Sequence, residues 1–247
     1  MPLGITEQHG YHLPLSTDVH NAWQVAVRVS ERTGAVVAPA LPYAYSGGTL
    51  PGTINVSPQV TGLMVAEIVE SLAEQGFRNV VVVLGHAGSE NLRAMRDQVT
   101  MLMRRFGHAP ELAVALAPVW EFSKRWMKGF REKDYHAGEI ETSLMMYWAG
   151  EMVRMERMRQ DEKKVAASLR EDPDNYQKVV RAVEDRHVAP RVTQREEIEV
   201  GVMGFPERAS VQTGRKVCQE CVEGIVGLVK RMEGRRGARR GRRRREK

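Results

Sequence analysis

The stretch "NVVVVLGHAGSEN", residues 79–91, is a five-residue apolar run that passes directly into a polar, glycine-containing turn. A run so short, apolar at every position and bounded by turn residues reads as a strand buried on both faces. Upstream, residues 58–76 form an amphipathic pattern ending at Gly76; downstream, 91–106 is helical again and "LAVALAPVW" (112–120) is a second strand. Further out, 21–34 has apolar positions three and four apart and ends on Gly34, a glycine-capped helix, and "AVVAPAL" (35–41) reads as a short buried strand. The connection "PYAYSGGTLPGTINVSP" is too long to serve only as a link, and loops of that length are usually functional. Residues 138–150 and about 151–169 are expected as helices, 170–210 as an irregular charged wrap, and 211–232 as an amphipathic helix. Strands alternating with helices define an α/β fold, three layers α/β/α around a central, mainly parallel sheet. The alternation calls for a strand just before "PLGITEQHG", yet Met1 immediately precedes it, so the first strand is expected to be incomplete, the chain truncated or its start set late.

Composition narrows the class. A hydrophobic share of 42% over 247 residues fills the core of one domain, expected over 1–233. No apolar run of membrane-spanning length occurs, and the start lacks a basic stretch followed by an apolar one, so a cytoplasmic protein is expected. Cys218 and Cys221 form a C-x-x-C inside the last helix pattern rather than at the strand-to-helix position of a redox motif, and read as core thiols. Of the formal charge of +6, residues 234–247 contribute +8, leaving −2 for the rest. Such a block cannot pack and is expected as a disordered Arg-rich tail, its contact with nucleic acid weak, non-specific and governed by salt.

In open parallel sheets ligands gather at the carboxyl ends of the strands. Three stretches near such ends are rich in donors: residues 2–20 with Glu7, His9, His12, Asp18 and His20, the turn after 79–84 with His86, and "DYHAGEIETS" with His136, Glu139 and Glu141. Carboxylates mixed with histidines suit zinc or manganese, and fit two ions sharing one bridging carboxylate. His12 and His20 are expected beside the ligands or, for His20, on the polar face of the next helix. Glu139 reads as a helix-start carboxylate, His108 and His187 as exposed, and Gly47, Gly48 and Gly52 as turn formers.

"PLGITEQHGYHLPLSTD", "PGTINVSP", "GHAGSEN" and "HAGEIETS" resemble, in order, the signature blocks of the creatininase family of metal-dependent amidohydrolases. The resemblance runs from residue 2 to about 146 and continues more weakly over 198–217. It implies that Glu7 and His86 bind one divalent ion, that His9 binds a second, and that Asp18 bridges them, the ions being Zn or Mn. Creatinine-hydrolysing members carry a glutamate where this chain has Gly88, so Glu141 is taken as the fifth ligand and Glu90 as its alternative. His136 matches the acid/base histidine and Trp120 a tryptophan lining the substrate pocket; a second pocket tryptophan aligns near Glu132, which argues against creatinine itself as substrate. The implied activity is cleavage of a C–N bond other than an ordinary peptide bond, in a small-molecule cyclic amide, linear amide or formamide, by a hydroxide bridging the two ions. The implied assembly is a homo-oligomer, commonly a hexamer. The rival reading is a non-catalytic member that binds metal or ligand, with weak RNA association through the basic tail.

Overall fold

The structure, a computed structural model, describes residues 1–107 and 111–245, with side chains through residue 234. Its central sheet has three parallel strands in the order β1 (Pro2–Leu3), β2 (Asn79–Leu84) and β3 (Ala113–Pro118). β2 is the middle strand, pairing Val83 with Pro2 on one side and running from Asn79 opposite Ala113 to Leu84 opposite Pro118 on the other. Val82, Val83 and Leu84 are buried, as the all-apolar run requires of a strand covered on both faces. β1 is two residues long.

Helices α2 (Pro58–Glu74) and α3 (Ser89–Arg105) pack on each other, and α1 (Thr17–Thr33), α5 (Glu139–Ala149) and α7 (Val211–Arg245) form a second layer. With the sheet these make the three-layer α/β/α arrangement. α1 buries Ala22, Val25, Ala26 and Val29, one face at helical spacing, and ends on Gly34 in the left-handed region at φ 72°, whose N–H donates to the Ser30 carbonyl. α2 starts with Pro58 behind Ser57, whose hydroxyl accepts from Val60 N–H. α7 buries Val217, Cys218, Cys221, Val222, Ile225 and Val226, so the two thiols are core groups as expected. Among the described residues no helix is long and apolar enough to cross a membrane.

Three elements depart from the sequence pattern. Residues 35–41 form no strand of the sheet; the segment touches β1 through a single parallel bridge, Leu3 with Leu41, and Val36 is 81% exposed. Pro39 and Pro42 cannot donate to a ladder, which breaks pairing on either side of that bridge. Residues 151–169 are not one helix but two 3₁₀ turns, Gly150–Met152 and Met155–Arg157, followed by α6 (Lys163–Glu171). Tertiary contacts hold this segment instead: Arg154 N–H donates to the His12 carbonyl, and the Asp161 side chain accepts from the amides of Glu199, Val200 and Gly201. Within the expected irregular wrap lies an antiparallel hairpin, β4 (Gln177–Val180) with β5 (Arg191–Gln194). α7 runs on to Arg245, through most of the stretch expected as a disordered tail; the side chains from 235 onward lie outside the described residues, and with them the expected nucleic-acid contact of 234–247.

Candidate metal centre

The carboxyl ends of β1 and β2 run into loops at one edge of the sheet, and the backbone there is in close contact with α1. A side-chain carbon on Gly4, just after β1, would stand 2.5 Å from Val19 N and 2.6 Å from Asp18 C; one on Gly85, just after β2, would strike the Asp18 carbonyl. Glycine at both positions lets the first turn of α1 lie against the strand ends. α1 begins at Thr17 rather than at 21, anchored where Thr17 N–H and Oγ1 donate to the Pro14 carbonyl, so Asp18 sits in its first turn. The polar residues Thr17, Asp18 and His20 hide that first turn from a pattern reading.

Around Asp18 the predicted donors converge. His86 Nδ1 lies 2.8 Å from Asp18 Oδ2 and 3.2 Å from Glu7 Oε2; His9 Nε2 lies 3.4 Å from Asp18 Oδ1 and 3.7 Å from Glu141 Oε2. Asp18 thus turns one oxygen to each histidine. The donor atoms of Glu7, Asp18 and His86 fall within 4.8 Å of one another, and so do those of His9, Asp18 and Glu141, and of Glu7, His9 and His136. Glu90, the alternative fifth ligand, is half-buried at the start of α3 and belongs to none of these groups.

Glu7, His9, Glu141 and His136 are each held by a second contact. His9 Nδ1 meets the Glu7 carbonyl at 3.0 Å, which leaves Nε2 to face the carboxylates. Ser46 Oγ donates to Glu7 Oε1, and Tyr176 Oη donates to the Ser46 carbonyl at 2.9 Å. Ala137 N–H donates to Glu141 Oε2 at 2.7 Å. His136 Nε2 meets the Gln8 carbonyl at 2.7 Å, and its ring lies 4.1 Å from that of His9. The turn carrying His136 hangs on buried Asp134, whose carboxylate accepts from the amides of Glu139, Ile140 and Phe205. His12 is buried with Nε2 3.1 Å from Thr142 Oγ1, a brace between the first loop and α5. His20 is half-buried on α1, Glu139 stands in the first turn of α5 as expected, and exposed His187 pairs with Asp185; His108 lies outside the described residues.

Burial opposes charge on every group of the cluster, and at Glu7, His9, Asp18 and His86 mutual attraction outweighs it. Asp18, Glu141 and Glu7 raise His9 to about 10, and Glu7 and Asp18 raise His86 well above the usual imidazole range. In return His86, His136 and His9 hold Glu7 well below the carboxylate range, and His9 and His86 lower Asp18. For Glu141 burial wins and pushes it up to about 7; burial and the neighbouring His9 charge bring His136 down to about 4. A field that holds protons on two buried imidazoles is one that favours a cation. Buried His9 Nε2 and Glu7 Oε2 have no hydrogen-bond partner although carboxylate or imidazole atoms stand close by. Orphaned, converging oxygen and nitrogen donors fit a divalent ion of the zinc or manganese kind.

The cluster opens into a cavity of about 570 Å³. Trp120 lines it from the turn after β3 and is 8% exposed, so it serves the core and the cavity together. Glu132 is exposed and lines no part of it; the second indole on the wall is Trp126, from α4 (Lys124–Arg131). Sequence reading missed Trp126, Ser46, Asp134 and Asp161. A signal existed for Ser46 in the glycine-rich loop, and none for the aspartates, whose partners are distant amides.

A parallel α/β sheet with paired carboxylate–imidazole groups at its strand ends defines a metal-site protein of the hydrolase type. The chain belongs to the creatininase family: the family profile, described as creatinine amidohydrolase, matches residues 1–229. It is 31% identical to a creatinine amidohydrolase of Pseudomonas putida over 175 residues, 64% of this chain and 66% of that one. It is 30% identical to the mycofactocin precursor peptide peptidase of Mycolicibacterium smegmatis over 241 residues, 94% of this chain and 84% of that one. Among solved structures, a Bacteroides fragilis chain of proposed creatinine amidohydrolase activity superposes with a TM-score of 0.69 at 27% identity, covering 94% of this chain and 87% of that one. A creatininase with Mn superposes with a TM-score of 0.71 at 24% identity, covering 93% and 90%. These relatives are hydrolases. The peptidase among them leaves the expected restriction to non-peptide bonds without support.

Proposed function

We propose that the chain is a metal-dependent amidohydrolase that cleaves a C–N amide bond of a small cyclic amide, linear amide or formamide. The observation that carries this reading is the division of Asp18 between two donor groups, Glu7 with His86 and His9 with Glu141. Those five residues would hold two divalent ions, Asp18 common to both; solved creatininases of the same fold include a Mn form and a Zn–Zn type variant. Bound there, two such cations supply Lewis acidity, making hydroxide available near neutral pH and polarising a carbonyl.

The chain's own residues do the rest. His136, with Nε2 committed to the Gln8 carbonyl, keeps Nδ1 as the free position for a proton. Uncharged near neutral pH, that nitrogen is open to take a proton from water and pass it to the departing nitrogen, which leaves poorly unless protonated. Trp120 and Trp126 exclude water from one side of the cavity and orient the acyl group's neighbour. The same reading takes the protein as a cytoplasmic homo-oligomer, which light scattering on the purified chain tests.

The central experiment is metal content after reconstitution with Zn or Mn, on the wild type and on Asp18→Ala. Two ions per wild-type chain, neither retained by the variant, and amide hydrolysis by the loaded wild type only, is the expected result. A folded wild type that retains no divalent ion overturns the reading.

A further inference from the structure

The cavity is larger and more one-sided than the metal cluster needs. Its volume of about 570 Å³ falls in the range that encloses ligands of drug size, roughly 300–1,000 Å³. One wall comes from a single segment, Trp120, Trp126, Met127 and Phe130, and rewards an apolar substituent. At the end of that wall stands Arg131. Met127 and Arg131 are four residues apart on α4 and so share a helix face, and both line the cavity.

Arg131 is the only lysine or arginine among the described residues lining the cavity; the other charged lining groups are carboxylates and histidines, with Glu90 and Asp174 among them. It is also distinct from its neighbours. Lys128 pairs with Glu132 at 3.2 Å and Lys133 with Glu171 at 2.6 Å, whereas Arg131 has no carboxylate partner among the described residues. A guanidinium presents a fork of donors matched to a carboxylate. Away from the metal floor, a ligand's anionic group is repelled by Glu90 and Asp174 and attracted by Arg131.

We propose that Arg131 anchors a substrate carboxylate, so that the substrate is an amide whose amine half carries both an apolar side chain and a free carboxylate. This is the chemistry of an N-acylated apolar amino acid, and it rests on the hydrolase reading above. The bond broken is the acyl C–N bond: the acyl carbon gains the oxygen of water, the nitrogen leaves as the amine with the proton, and no redox partner is required. The carboxylate has two sources, a free N-acyl amino acid or the last residue of a peptide.

The test uses the metal-reconstituted full chain and three probes: N-acetyl-phenylalanine, its decarboxylated analogue N-acetyl-2-phenylethylamine, and acetyl-Gly-Gly-Phe. The acid is expected to exceed the neutral analogue in kcat/KM by about tenfold, through KM, and R131Q to bring that ratio near one. Cleavage of the first probe points to free N-acyl amino acids, and release of phenylalanine from the third to peptide ends. A wild-type ratio near one, or a ratio that survives R131Q, overturns the anchor. If no probe is hydrolysed, calorimetric binding of 3-phenylpropanoate separates the two ideas. Binding that R131Q weakens about tenfold upholds the anchor and counts against the hydrolase reading; binding that R131Q leaves alone, or none at all, overturns the anchor.

Discussion

Replacing Gly4 by alanine tests the link from sheet to site with a single methyl group. Gly4 has no left-handed backbone, so the substitution adds no torsional strain, and the whole effect is steric. The new carbon would stand 2.5 Å from Val19 N, 2.6 Å from Asp18 C and 2.7 Å from Asp18 O, where ordinary contact begins at 3.4 Å. These are backbone atoms of a helix, unable to swing aside, so α1 must retreat from the strand ends by about 0.9 Å, the shortfall at the nearest contact. Overpacking of this kind costs about 1–3 kcal/mol. In a chain of this size that is a fall in Tm of roughly 3–10 °C. The retreat carries Asp18 with it, and a misplacement near 1 Å at reacting groups is worth about a hundredfold in rate. Gly150→Ala is the control, because Gly150 has helical backbone angles and nothing within 4 Å of the added carbon. Differential scanning fluorimetry, metal titration against a chelator and hydrolysis rate should all change in Gly4→Ala and stay near wild type in Gly150→Ala. A Gly4→Ala protein with wild-type stability and metal affinity would refute the account of how the strand ends hold Asp18.

Glu141→Gln should leave one divalent ion per chain where the wild type keeps two, whereas Glu90→Gln should keep both; elemental analysis of the reconstituted proteins decides between them. His136→Asn should retain its metal yet lose about 10²–10⁴ in kcat, since the acid/base step alone is removed; loss of metal instead would recast His136 as a ligand, in line with its place beside Glu7 and His9. In chelator-treated protein His9 has a folded pKa of about 10 against 6.5 for the free side chain. A raised folded value stabilises fully below pH 6.5, and that contribution disappears as pH climbs from 6.5 through about 10. The melting temperature of the chelated wild type should therefore drop over this window more steeply than that of His9→Gln, and parallel curves would count against the buried pair with Asp18. Asp134→Ala strips three amides of their acceptor and should lower stability by about 1–3 kcal/mol, measured by urea unfolding.

Much of this protein was legible from local pattern. The all-apolar run of 80–84 between Gly76 and the polar turn requires a doubly covered strand whatever surrounds it, and Gly34 stops α1 because only a left-handed residue ends that helix so. The donors Glu7, His9, Asp18 and His86 were legible as well, since they sit next to strand ends or in turns, and residue type with position is a local property. Tertiary structure decided what depends on distant backbone. It brought Glu141 rather than Glu90 beside His9 by folding α5 so that a carboxylate far along the chain lies 3.7 Å from its ring nitrogen. It dissolved the expected helix after residue 150, where Arg154 N–H bonds the His12 carbonyl rather than a helical one and the Asp161 side chain is tied to the amides of Glu199, Val200 and Gly201. It put Trp126 rather than residue 132 on the cavity wall, and left Arg131 there without a carboxylate partner among the described residues. Periodicity and caps are written over a few neighbouring residues. Convergence of groups more than a hundred residues apart is set by how layers pack, and no short stretch records it.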